Sequence, residues 1–297
     1  MIEILTDQPA YRAAVLFVFG LAIGSFLNVV IFRLPRMMER EWLGELAREL
    51  LERGWQVPEA LKSVLTDFGP GRYDLMVPGS ACPACGHRIG ALENVPVLSY
   101  LTLRGRCRSC KSGISARYPL VELTTAILSA CVGWRFGVSL AGAAALVFCW
   151  CLIALALIDF DTQLLPDAIT LPLVWAGLLF NLGGALTDIG SALTGAAAGY
   201  LSLWCVYWLF KLATGREGMG YGDFKLLAAI GAFLGWQMLP LVILLSSVVG
   251  AALGIFLIVL ARRGREVPMP FGPYLAVAAL VALFVGNDLT RHWLEMF

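Results

Sequence analysis

Two acidic sites and a set of four cysteines hold the side chains of this 297-residue chain that are best suited to chemistry. The first acidic site is Asp159-Phe160-Asp161, which closes an apolar run and leads into Thr162-Gln163-Leu164-Leu165-Pro166-Asp167. The second is Gly218-Met219-Gly220-Tyr221-Gly222-Asp223, which opens another apolar run. Acidic residues at membrane depth are costly and by default point to function. Two carboxylates in a partly dry site cannot both ionise easily. They can share a proton, one acting as base on a water and the other as acid toward a carbonyl. That is aspartic-protease chemistry, and it needs neither a nucleophilic side chain nor a catalytic metal. The glycines Gly220 and Gly222 permit a close, strand-like approach of a peptide. Two other readings compete. An Asp at a helix start, as at Asp223 and Asp167, is favourable without any function, whereas Asp159 and Asp161 stand near a helix C-terminus, where acid is disfavoured. A coupled carrier also uses intramembrane acids, more often at the midplane; here they sit at the edge, which favours a hydrolase.

The eight cysteines fall into two groups. Cys131, Cys149, Cys151 and Cys205 lie inside apolar runs, where they serve as small apolar side chains. The others form Cys82-Pro83-Ala84-Cys85 and Cys107-Arg108-Ser109-Cys110, with 21 residues between the pairs. Two such knuckles place four thiolates around a Zn²⁺ in a closed structural site. Disulfides are the alternative, disfavoured in a reducing compartment, and a redox pair needs no second pair at this spacing. His87 follows closely enough to replace one ligand. The metal would hold a core-poor domain together rather than do chemistry.

The elements that position these groups are set by composition. The chain is 59% hydrophobic and 14% charged, against roughly 25% charged in soluble domains. It cannot cover a water-facing surface of its size, which excludes a cytosolic enzyme, and its net charge of +1 gives no sign of a nucleic-acid partner. The charges cluster between long apolar runs, so the expected fold is an all-α polytopic membrane protein. Eight candidate spans are residues 11–32, 118–136, 138–158, 168–186, 189–212, 224–238, 239–261 and 270–290. The sixth is short and can form a bent unit with the seventh, which would make seven. The first run lacks a convincing cleavage site and reads as a retained span. Residues 33–117 hold 13 of the 22 basic residues. With that segment cytoplasmic, alternation places Lys211, Arg216, Lys225, Arg262, Arg263 and Arg265 on the same side, leaving Arg12, Arg135 and Arg291 outside. Asp159 and Asp223 then share the cytoplasmic face. The expected organisation is a first span over 1–32, a small cytoplasmic zinc-knuckle domain over 33–117, and a membrane domain over 118–297. An amphipathic pattern at Leu43, Leu46, Ala47, Leu50 and Leu51 opens the cytoplasmic domain. A Pro/Gly-rich stretch, 68–79, separates it from the knuckles.

The chain also resembles a known family: the type IV prepilin peptidases, leader peptidases and N-methyltransferases of the GxGD class of membrane aspartic proteases. The resemblance covers nearly the full length. It rests on Gly24-Ser25-Phe26-Leu27-Asn28-Val29-Val30 with Arg33-Leu34-Pro35, the paired knuckles, Glu93-Asn94-Val95-Pro96-Val97-Leu98-Ser99-Tyr100, and Arg104-Gly105-Arg106-Cys107. It continues through Arg117-Tyr118-Pro119-Leu120-Val121-Glu122-Leu123, Ile158-Asp159 with Leu165-Pro166-Asp167, and Gly220-Tyr221-Gly222-Asp223-Phe224-Lys225. The resemblance implies catalytic aspartates at Asp159, seven positions before Pro166, and at Asp223. It leaves Asp161 as a supporting carboxylate, Asp167 as a cap, and Cys82, Cys85, Cys107 and Cys110 as zinc ligands. The implied reaction removes the short basic leader of a prepilin or pseudopilin after a glycine, at the cytoplasmic side of the bacterial inner membrane. It then methylates the new amine with S-adenosylmethionine, in the service of pilus or type II secretion assembly. No glycine-rich dinucleotide fingerprint marks a site for the methyl donor, so that half rests on the resemblance. Peptidase activity alone, or a zinc-knuckle carrier or assembly factor, are the alternatives.

Some residues invite plainer readings. Asn28 is expected to pack, and the small-xxx-small spacings Gly20/Gly24 and Gly195/Gly199 to bring helices close. Glu122 is either a first-turn acid or part of a pilin-binding surface. Arg262, Arg263 and Arg265 are expected to anchor a loop at anionic lipid, and Trp134, Trp236 and Trp293 suit an outer interfacial belt.

Overall fold

The computed structural model describes residues 8–67, 71–216, 218–259 and 270–295. Among them the regular structure is entirely helical, apart from two isolated β-bridges. The helices are α1 (Pro9–Glu52), α2 (Glu59–Asp67), α3 (Leu98–Thr102), α4 (Arg117–Phe136), α5 (Leu140–Thr162), α6 (Asp167–Leu182), α7 (Ile189–Thr214), α8 (Tyr221–Leu234), α9 (Leu239–Val259) and α10 (Gly272–Glu295). Pro9–Glu52, Leu140–Thr162, Ile189–Thr214 and the Trp236–Phe256 stretch are long and apolar enough to cross a membrane. Asp167–Leu182 and Gly272–Gly286 are apolar but shorter. Among the described residues, length and hydropathy thus support four of the eight expected spans outright. The 14 residues of α8 cover only about 21 Å, short of a hydrocarbon core.

The chain divides into two compact units, one of residues 1–20 and 125–297, the other of residues 21–124. In the first, α8 is the central helix. Phe224, Leu226, Leu227, Ile230 and Phe233 are fully buried among α5, α6, α7 and α10, and Phe233 stacks on Phe148 with ring centroids 4.6 Å apart. The Gly195/Gly199 spacing makes the expected close contact: a Cβ on Gly195 would come within 2.4 Å of the Gly231 carbonyl oxygen. Gly20 meets Ala126 and Ser129 in the same way. Buried Asn181 closes the far end of α8. Its amide donates to the carbonyls of Ala232 and Phe233 at 2.8 and 3.0 Å and accepts from the Leu186 and Thr187 amides. All four hydrogen-bonding positions of that side chain are filled. Cys149 is buried, while Cys131 and Cys205 are exposed on their helices.

In the second unit the expected break after the first span is absent. The helix runs on through Pro35 to Glu52, although proline leaves one ladder carbonyl without its donor. Of the amphipathic set, Ala47 is buried but Leu46 and Leu51 are exposed. Arg33, 8% exposed, donates to the carbonyls of Asp74 and Pro78. Asp74 in turn accepts from the amides of Met76 and Val77, which hold its carboxyl below the ordinary range. Asn28 packs as expected, donating to the Tyr118 carbonyl at 3.1 Å. Glu122 is neither in the first turn of α4 nor exposed: it is buried and accepts the Val97 amide at 2.7 Å. Trp134 and Trp236 are more than half exposed. The side chain of Trp293, along with Arg262, Arg263 and Arg265, lies outside the described residues.

Candidate active site

Asp159 and Asp223 come together in the first unit. Asp159 stands in the last turn of α5, which Ser139 caps at its start and Gln163 ends in the left-handed region at φ 57°. The Gln163 amide donates to the Asp159 carbonyl at 2.8 Å, so the turn that stops the helix also fixes this residue. Asp223 is the third residue of α8, after the cap Gly220, whose carbonyl accepts the Asp223 amide at 3.3 Å. Asp159 and Asp223 are 5% and 7% exposed and lie close enough to interact electrostatically.

An acid at a helix C-terminus faces the negative end of the dipole, and the structure supplies the compensation. The amide of Gly272, first residue of α10, donates to Asp159 Oδ2 at 2.8 Å. First-turn amides have no partner inside their own helix, so the N-terminus of α10 serves the C-terminus of α5. A Cβ at Gly272 would lie 2.7 Å from that oxygen. Sequence reasoning missed Gly272. The signal was Phe271-Gly272-Pro273 at the entry of the last apolar run.

The two glycines before Asp223 behave differently. A Cβ on Gly222 would stand 2.7 Å from the Cβ of Leu165, so its bareness serves packing of α8 on the α5–α6 connector. A Cβ on Gly220 would make only ordinary contacts, at 4.0 Å from Asp223 Oδ2 and from the Gly222 nitrogen. Asp161 is exposed; two residues on, it projects about 200° around the helix from Asp159. Asp167 is not the cap, which is Pro166. It pairs with Lys225, whose ammonium donates to both carboxylate oxygens at 2.6 and 2.8 Å.

In the second unit the Sγ atoms of Cys82, Cys85, Cys107 and Cys110 lie within 4.8 Å of one another and could hold a metal ion. The Cys82–Cys110 and Cys85–Cys107 separations are 3.8 and 4.0 Å, close to the roughly 3.8 Å edge of a tetrahedron with 2.3 Å metal–sulfur bonds. The Ser112 hydroxyl, 3.6 Å from Cys82 and 3.1 Å from Cys110, pulls both thiols down, Cys82 to about 6. The Cys85 thiol, lowered by the His87 amide but raised more by its sulfur neighbours and by burial, rises to about 11. His87 is not a ligand. Its Nε2 lies 3.0 Å from Glu93 Oε2, and with Arg108 it holds the Glu93 carboxyl below the ordinary range.

Residues 146–255 match the type IV leader peptidase family, and residues 18–136 match the bacterial peptidase A24 N-terminal domain. The chain is 54% identical over 297 residues to a prepilin leader peptidase/N-methyltransferase of Aeromonas hydrophila, covering 100% of this chain and 99% of that relative. This chain belongs to the type IV leader peptidase family. Similar proteins of the same name occur in Pseudomonas aeruginosa, at 52% identity over 99% of this chain and 98% of the relative, and in Burkholderia pseudomallei, at 52% over 91% and 84%. No solved structure matches the chain significantly. Within the segment matched to the leader peptidase family lie both aspartates, Asp167 and Lys225; the thiol tetrad lies in the N-terminal match, and Gly272 falls beyond both.

Proposed function

We propose that this chain is a membrane aspartic endopeptidase and N-methyltransferase acting on type IV prepilins or pseudopilins, with Asp159 and Asp223 as its catalytic pair. The observation that carries the reading is the pairing of these two buried acids from opposite helix ends, the last turn of α5 and the first turn of α8. In the proposed reaction one carboxylate takes a proton from a water, whose oxygen attacks the scissile carbonyl after the glycine. The other, protonated, gives its proton to the carbonyl oxygen. The tetrahedral carbon then expels the amine, which leaves with a proton as the peptide bond breaks. Asp161, exposed two residues after Asp159, acts as a supporting carboxylate toward the basic leader. The new amine then attacks the methyl of S-adenosylmethionine, a co-substrate, which departs as the thioether while the amine sheds a proton.

The same reading gives eight spans, with both aspartates and residues 33–117 at the cytoplasmic face of the bacterial inner membrane. Nineteen of the 22 basic residues fall inside on this topology, which is its main support. Its domains are the span 1–32, the cytoplasmic domain 33–117 and the peptidase domain 118–297. The thiol tetrad fits Zn²⁺, which when bound ties the two knuckles together without entering the chemistry. Mature pilins then pass to pilus or type II secretion assembly.

Mass spectrometry of a prepilin incubated with the purified protein, with and without S-adenosylmethionine, tests the proposal. The expected product has lost its leader and carries one methyl on the new N-terminus. Cleavage without the methyl reduces the reading to a peptidase. An intact substrate beside a folded enzyme overturns it.

A further inference from the structure

The two knuckles of the second unit are structural twins. Gly86 N–H donates to the Cys82 carbonyl as Lys111 N–H does to Cys107, at 2.9 and 3.1 Å. Cys82 N–H reaches His87 as Cys107 N–H reaches Ser112. Each knuckle closes on a single antiparallel bridge, Ala81 with Arg88 and Arg106 with Gly113. Both twins need a left-handed residue just after the second cysteine. The first uses Gly86, φ 70°, and the second Lys111, φ 60°. Glycine takes that conformation freely, and a residue with a side chain does not. Lysine at this place is therefore a departure with a cost, and strained residues of this kind gather at ligand sites.

Lys111 lines an open surface cleft of about 450 Å³ with Arg104, Arg106, Thr102 and Leu103. Arg104 is a second left-handed residue, φ 53°, at the turn that follows α3. No acidic partner meets Arg104, Arg106 or Lys111 among the described residues. Their neighbour Arg108 is different, being paired with Glu93. The Thr102 hydroxyl donates its proton to the Ser99 carbonyl, so the cleft's side-chain donors are its three cations. Three cations around one opening suit a phosphate group, whose oxygens guanidinium forks grip in pairs.

We infer that the cleft formed by Arg104, Arg106 and Lys111 is a binding site for a phosphate group, borne by a soluble phosphate or by an anionic lipid headgroup. This site lies in the unit without the aspartate pair, and the inference does not depend on the peptidase reading. The informative variant is Lys111→Gly. It removes one cation while installing the residue the twin knuckle uses, so the turn is relieved rather than broken. Arg106→Gln is the second variant, and metal content and melting temperature check the fold of both.

Full-length protein in detergent is titrated with inorganic phosphate by calorimetry. Native mass spectrometry then counts phosphatidylglycerol retained against phosphatidylcholine. If the ligand is soluble, phosphate binds the wild type and binds each variant about tenfold or more weakly, as expected for loss of one charge-assisted contact. If it is a headgroup, phosphate is silent and each variant retains one phosphatidylglycerol fewer. Either result supports the site. Wild type and variants that are indistinguishable in both arms, with metal and melting unchanged, overturn it.

Discussion

Lys225 donates to both carboxylate oxygens of Asp167 across 58 positions of chain, joining the first residue of α6 to the second turn of α8. One partner stands directly after the Leu165-Pro166 connector and the other two residues after Asp223. The ion pair therefore pins the helix that carries Asp223 to the segment that follows Asp159. Lys225→Met and Asp167→Asn are each expected to slow leader cleavage about tenfold by loosening that alignment. The double variant should cost little more than either single one, because both remove the same interaction. Initial cleavage rates of the three variants measure this directly, and fully additive losses would show that the pair acts separately.

Asp159→Asn and Asp223→Asn should each lower cleavage by about 10³-fold or more, the range for loss of an acid or base. Metal content and methylation of an already processed pilin are expected to stay near wild type. Mass spectrometry of both products separates this outcome from a folding defect, which would depress all three together.

Gly222 and Gly220 should differ sharply. Alanine at 222 must displace Leu165, since the new Cβ would lie 2.7 Å from it. It is expected to destabilise by about 1–3 kcal/mol. Alanine at 220 meets only ordinary contacts, so it should melt like the wild type. Any loss of cleavage in Gly220→Ala would then report crowding of the substrate. Melting curves beside cleavage rates give both answers.

Gly272→Ala puts a methyl against Asp159 Oδ2 and weakens its hydrogen bond to the α10 amide. The expected result is a loss of about 10²-fold in kcat with a smaller change in KM, since the contact holds a reacting group rather than substrate. A variant with unchanged kcat would remove the α10 amide from the site.

Cys82→Ser, or removal of metal by a chelator, should release the ion and open the segment between the knuckles to protease. Methylation is expected to fall further than cleavage, because the aspartate pair belongs to the other compact unit. Metal analysis with limited proteolysis tests this. Retention of a full metal equivalent by Cys82→Ser would argue against a four-thiolate site.

The residue types and their spacing determined the chemistry on offer: two acids at the ends of apolar runs and two CxxC pairs suited to a tetrahedral ion. Helical character was equally local, because long apolar runs bounded by Ser139, Asp188 and Gly215 carry their own start and stop signals. Number of spans was less legible, since the short α8 is buried by neighbours rather than by its own length. What only the tertiary structure decided is how the acids are held. Gly272 reaches Asp159 across 113 positions, Lys225 reaches Asp167 across 58, and Gly222 is bare because Leu165 packs on it. Likewise, Lys111 is seen to stand where its twin has Gly86 only when the two knuckles are laid over each other. A hydrophobic pattern records which face of a helix is buried, but not which helix end will meet it. The partner of a buried carboxyl is settled by packing and by the demand that each buried polar group find a hydrogen bond.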